Sequence, residues 1–153
     1  MQAARTGSVQ ELGRILTRGD DPNIVAEGES ETALSYAIRK GTSSEIVSLL
    51  LQYGANPNTI IPCAPHHRRE TVLLRAVHRD LSYTTIDALL NRGANPNLVL
   101  TREQAGDGVE TPLLRAVRRG AFYNTISSLL NAGADPNMVD ITEIARCCLQ
   151  SEM

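Results

Sequence analysis

The chain has 153 residues, 42% of them hydrophobic and 21% charged, with a formal net charge of −2. That is the balance of one soluble domain with room for a core, and it excludes an overall electrostatic pull toward nucleic acid or an acidic membrane. Apolar runs are only a few residues long and no charged-then-apolar leader opens the chain, while three cysteines, two of them adjacent at Cys147 and Cys148, fit no disulfide framework; the expected location is the cytoplasm or nucleus.

With no Trp, one Phe and four Tyr, the core must come from Leu, Ile, Val and Ala packed closely, which favours helices. In chain order, residues 1–7 read as the end of a short helix, with Ala3, Ala4 and Gly7 in register. Leu12, Ile15 and Leu16 then stripe an amphipathic helix that stops at GDDPN, residues 19–23. Thr32 opens the next helix as an N-cap, and Val47, Leu50 and Leu51 stripe its successor, which ends at GANPN, residues 54–58. The same order recurs with Thr71, then Ile86, Leu89 and Leu90, then GANPN at 93–97. It recurs again with Thr111, Pro112 at the first helical position, then Ile126, Leu129 and Leu130, then GADPN at 133–137. A glycine just past a helix end tolerates the left-handed cap, and the proline after it keeps the helix from resuming. Asp140 is placed to cap a last helix to about Ser151, striped by Ile141, Ile144, Ala145, Cys148 and Leu149.

The stretch ETVLLRAVHRD at 70–80 returns as ETPLLRAVRRG at 110–120, and TALSYAIRKG at 32–41 stands in the same place. With the four Gly-x-x-Pro-Asn turns, these segments resemble the ankyrin repeat, whose pattern runs T-P-L-H-x-A-A, a glycine turn, then V-x-x-L-L-x-x-G-A-D-P-N over about 33 residues. The resemblance implies an all-α ankyrin-repeat solenoid of helix-turn-helix units with extended finger loops, stabilised by stacking because one short hairpin cannot bury its own apolar face. It implies a single domain over 1–153: a partial repeat to 23, repeats at about 24–58, 59–97 and 98–137, and a capping helix at 140–151, an outline that a fragment of a longer chain would also show. Ala3, Ala37, Ala76 and Ala116 recur where a first helix must sit close to its partner. The pattern is broken in three ways. Glycine-to-glycine spacings of 35, 39 and 40 lengthen the turns and the later two fingers. The histidine of T-P-L-H becomes Ser35, Leu74 and Leu114, which should replace a polar lock by apolar contact. Asp80 stands at a turn position suited to glycine, where strain is expected.

In the ankyrin family, partner contacts fall on exposed residues of the first helices and on the finger tips. Carried onto this sequence, the last-turn positions are Arg5, Arg39 and Lys40, His78 and Arg79, and Arg118 and Arg119. One turn earlier stand Tyr36, Arg75 and Arg115, and the second finger adds His66, His67, Arg68 and Arg69. No acidic residue takes any of these places, so the resemblance implies a basic concave face suited to an acidic or phosphorylated segment of a partner protein. An opposing expectation rests on Glu31, Glu70 and Glu110, which stand just before the capping threonines and could pair with a neighbouring repeat's arginines. That pairing would leave a solvated scaffold or targeting domain of a larger enzyme or receptor.

Other chemistry finds little support. Cys63, His66 and His67 lack the second pair of ligands that structural zinc requires, so no metal is expected. No glycine-rich phosphate loop, nucleophile elbow or paired carboxylates at helical spacing are present, so the expectation is no enzyme and no cofactor. Anionic nucleic acid ranks below protein, since only Tyr36, Tyr83, Phe122 and Tyr123 are available to stack on bases. The expected state is a monomer that does not bind membranes.

Overall fold

Each first helix of a hairpin starts where a threonine hydroxyl takes up an otherwise unpartnered backbone N–H. Thr32 Oγ1 accepts from the Ser35 amide at 3.3 Å, and Thr71 and Thr111 accept from the Leu74 and Leu114 amides at 3.1 Å each. The computed structural model describes residues 8–25, 27, 30–61, 69–100 and 110–138. The expectations for residues 1–7, for the finger from Cys63 to Arg68 and for a helix at 140–151 lie outside these.

In chain order the elements are α1 (Val9–Thr17), α2 (Ala33–Lys40), α3 (Ser44–Gln52), β1 (Ile60–Ile61), β2 (Glu70–Thr71), α4 (Val72–His78), α5 (Tyr83–Asn91), α6 (Pro112–Arg118) and α7 (Tyr123–Asn131). Helix α1 begins with a further cap, the Glu11 amide donating to Ser8 Oγ at 3.3 Å. Strands β1 and β2 pair antiparallel, Ile60 with Thr71 and Ile61 with Glu70. They make the root of the second finger, a two-residue ladder on an otherwise helical scaffold.

The hairpins α2–α3, α4–α5 and α6–α7 each close through the turn that follows the first helix. The amides of Thr42, Leu81 and Ala121 reach back to the carbonyls of Ala37, Ala76 and Ala116 at 2.9–3.0 Å. This closure needs a left-handed residue. Gly41 and Gly120 supply it at φ 70° and 65°, and Asp80 is driven to φ 53°, the strained position expected from the sequence.

First helices α2, α4 and α6 pack in one layer, and second helices α1, α3, α5 and α7 in another. Ala37, Ala76 and Ala116 are fully buried on first helices, whose small side chains permit close approach, and the rest of the core is mostly Leu, Ile and Val from both layers. Ser35 departs from the apolar contact expected for it. Fully buried, its hydroxyl donates to the Thr32 carbonyl at 3.0 Å, so the missing family histidine leaves a local polar bond in that repeat.

Along the finger edge the repeats are tied by a recurring bracket. Asn23 donates its side-chain amide to the Gly54 carbonyl at 3.0 Å and accepts from the Asn56 amide at 2.7 Å. Asn58 does the same with Gly93 and Asn95, and Asn97 with Gly133 and Asp135. The residue two before each asparagine folds it into place: Asp21, Asn56 and Asn95 each accept the backbone N–H of that asparagine at 2.9 Å. The turn motif therefore ends one repeat and holds the next.

Candidate interaction surface

Glu31, Glu70 and Glu110 are 7%, 3% and 7% exposed, which makes them buried carboxylates at the mouth of each first helix. The free N–H groups and positive dipole end of the helix favour a carboxylate there, but burial of a charge also demands a cation. The expectation of pairing to a neighbouring repeat is corrected here, because each glutamate is answered from its own repeat. The partners stand eight residues later in the first hairpin and five and eight later in the other two, spacings that lay them along the same short helix.

In the first hairpin, Arg39 meets Glu31 through Nε at 3.1 Å to Oε1 and 3.0 Å to Oε2, a two-pronged contact reinforced by Nη2 at 2.5 Å. The Tyr36 ring lies 5.2 Å from the Arg39 guanidinium carbon, so the ring half-buries the cation and does not stand free for a partner. In the second, Arg75 Nε lies 2.7 Å from Glu70 Oε2, close in charge but not aligned as a hydrogen bond, and His78 Nδ1 stands 3.2 Å from Oε1. In the third, Arg115 is paired to Glu110 Oε2 and Arg118 Nη1 lies 3.6 Å from Oε1. Five of the residues expected to meet a partner, Arg39, Arg75, His78, Arg115 and Arg118, are thus engaged with carboxylates.

The next position along is different. Lys40, Arg79 and Arg119 are exposed and meet no carboxylate among the described residues. All three sit at or beside the hairpin turn, and Arg79 and Arg119 lean toward the preceding repeat. Arg119 Nη1 donates to the His78 carbonyl, and the Arg79 guanidinium lies against Gly41, where an added Cβ would stand 3.7 Å from Nη2. Both place a cation at the C-terminal end of a neighbouring helix, where the dipole is negative. Arg69 is exposed beside β2; Arg5, His66, His67 and Arg68 lie outside the described residues. Phe122 and Tyr123, available to stack on bases, are 79% and 81% exposed at the start of α7, and Tyr83 about half exposed at the start of α5. The signal for the carboxylate pairs was present in the sequence as a Glu followed eight residues later by Arg or His in all three repeats, and five residues later by Arg in the last two.

Among the described residues no helix is long and apolar enough to cross a membrane, and no group of three or more His, Cys, Asp or Glu side chains stands together. The surface is an extended row of side chains drawn from successive hairpins.

Stacked helical hairpins that present such a row define a repeat solenoid. The chain belongs to the ankyrin-repeat family: the family model described as "Ankyrin repeats (3 copies)" matches residues 1–99, and that described as "Ankyrin repeat" matches residues 110–141. Ankyrin repeats generally serve as protein-interaction modules. The crystal structure of the human ASB11 ankyrin repeat domain has the same fold, with a TM-score of 0.62 and 23% sequence identity over 90% of this chain and 55% of that one. The present chain therefore spans about half the length of that structure. Comparison with curated protein sequences returned no match.

Proposed function

We propose that the chain is a non-catalytic protein-binding module that receives an acidic or phosphorylated segment of a partner along the ends of its first helices. The observation that carries this reading is the separation of charge by depth. The carboxylates that answer the basic row, Glu31, Glu70 and Glu110, are buried beneath it, whereas Lys40, Arg79, Arg118 and Arg119 face solvent. An approaching ligand meets guanidinium and ammonium groups first. The hairpin of α6 and α7 is the most basic, with Arg115, Arg118 and Arg119 against the single Glu110.

A second reading draws on the same ion pairs: with Arg39, Arg75 and Arg115 engaged, the face serves a scaffold whose specificity lies elsewhere. One titration separates the two. The full chain is titrated into a fluorescent Asp- and Glu-rich peptide, its phosphoserine counterpart and a DNA duplex, each over a range of salt. The expected result is saturable peptide binding that weakens with salt, and a loss of about tenfold or more for each of Lys40→Glu, Arg79→Glu and Arg119→Glu. Absence of binding, or binding indifferent to the three charge reversals, rules the reading out. A preference for the duplex, with the steep salt dependence of counterion release, assigns the row to nucleic acid.

A further inference from the structure

The α6–α7 hairpin departs from the other two at the turn that joins its helices. The residue that opens the second helix is Ser43 before α3 and Ser82 before α5, but Phe122 before α7. Serine is favoured at a helix start because its hydroxyl can take up a free backbone N–H, which a phenyl ring cannot do. Phe122 is the chain's single phenylalanine, in a sequence without tryptophan, and it is absent from the core: it stands almost wholly exposed, followed by Tyr123 in the same state. Tyr83, at the same place in α5, is 49% exposed and lines a cleft with Ser48 and Leu51 of α3. Two adjacent bare rings are more than the scattered apolar exposure of an ordinary surface.

The backbone beneath the rings is fixed on both sides. The Phe122 carbonyl accepts from the Thr125 and Ile126 amides at 3.0 and 3.3 Å, and the Ala121 amide closes the turn on the Ala116 carbonyl at 2.9 Å. An aromatic side chain with two torsions on a fixed backbone loses little freedom when a partner covers it, and aromatic rings and arginines are prominent among the anchors of protein interfaces. Charge says what covers these rings. From Thr111 to Ala134 the hairpin carries Arg115, Arg118 and Arg119 and no acidic residue, whereas the corresponding stretches hold Glu45 in the first hairpin and Asp80 and Asp87 in the second. Arg118 and Arg119 are exposed four and three residues before Phe122. The Arg119 and Phe122 α carbons are therefore at most about 11 Å apart, and side chains two or three residues apart in an extended peptide span roughly 7–11 Å.

We propose that this turn is an anchor for one bulky apolar side chain of the partner segment, received by Phe122 and Tyr123 while carboxylates two or three residues away meet Arg118 and Arg119. The ligand is then an acidic protein segment punctuated by leucine or an aromatic residue. The anchor rests on the proposed reading of the basic row and adds a choice of register to it, since the α2–α3 and α4–α5 turns have serine where the ring stands.

Two fluorescent peptides test it, one of Asp and Glu with a central leucine and its twin with alanine in that place. The full chain is expected to bind the leucine peptide at least about tenfold more tightly, the worth of one good anchor. Phe122→Ser, which installs the residue of the other two hairpins, should bring that ratio to within about threefold while the circular dichroism of the helices persists. Tyr123→Ser should shrink it as well, and Lys40→Glu, two hairpins away, should weaken both peptides and keep the ratio. Equal affinity for the two peptides, with binding still lost on Arg119→Glu, overturns the anchor and leaves the basic row standing. Binding of neither peptide removes the basic row and the anchor with it. A ratio that both ring substitutions leave intact overturns the anchor, as does a dimer in sedimentation that Phe122→Ser dissociates, which assigns the rings to a second copy of the chain. Phe122-dependent capture of phosphatidylserine vesicles or of single-stranded oligothymidylate, by a chain that prefers neither peptide, assigns the rings to a membrane or to bases and overturns it equally.

Discussion

The hairpins α4–α5 and α6–α7 are written in almost the same words and live in different surroundings. ETVLLRAVHRD and ETPLLRAVRRG share their cap, their leucines, their alanine and their glutamate. Thr71 and Thr111 cap identically, Ala76 and Ala116 are both fully buried, and Glu70 and Glu110 each hold an arginine five residues on. Valine, by contrast, is core at Val77 and surface at Val117. A side chain in a solenoid is buried by the next repeat rather than by its own, so identical residues differ in worth according to what stacks on them.

Exchanging charge for methyl groups breaks this comparison most sharply. Val77→Asp puts an unpaired carboxylate into the interior and is expected to cost about 4 kcal/mol or more, whereas Val117→Asp is expected to cost about 1 kcal/mol. Urea unfolding followed by circular dichroism measures both; equal losses would mean that the end face is as deeply covered as the middle.

A smaller effect is expected where the two hairpins differ in their last-turn partner. Glu70→Ala removes the buried carboxylate that Arg75, only 14% exposed at its side chain, meets at 2.7 Å, and removing one member of such a pair costs about 3 kcal/mol. Arg118→Ala removes a partner that is 42% exposed and 3.6 Å from Glu110, in a pair the solvent screens, and should cost less than about 0.5 kcal/mol. The same unfolding measurement, compared between the two variants, would sink the distinction if Arg118→Ala proved the costlier.

The smallest change concerns the turns. Asp80 occupies φ 53° where Gly120 takes φ 65°, and nothing lies within 4 Å of a Cβ built on Gly120, so only backbone strain separates the two residues. Asp80→Gly should stabilise by about 0.5–1 kcal/mol, and Gly120→Asp should destabilise by a similar amount. Thermal melts of the pair check it, and shifts of the same sign in both would show that the turn strain is not the cause.

Much of the scaffold was legible because its signals are local. A threonine that caps the helix three residues ahead, a glycine that takes the left-handed turn and an alanine at the helix contact each act within a few residues, and Thr32, Thr71 and Thr111 open α2, α4 and α6 as their positions imply. The bracket was half legible. The Gly-x-x-Pro-Asn motif marked the ends of the second helices, but that Asn58 and Asn97 also clamp the following repeat depends on a partner some 35 residues away and is invisible to any short window.

The candidate surface was legible as a row of residues and not as a pattern of charge. The sequence set out which cations share one side of the stack, because the helical period determines that. It did not divide them. Burial of Glu31, Glu70 and Glu110 under the first helices is a product of stacking, and a carboxylate removed from water recruits the nearest arginine of its own hairpin, Arg39, Arg75 or Arg115, in preference to one across a repeat. Propensity and period, which act along the chain, were enough to determine the helices, their caps and their number of residues per turn. Which valine is core, which arginine is engaged and which aromatic ring is bare were decided only when one hairpin came to rest against another, because desolvation is a property of neighbours.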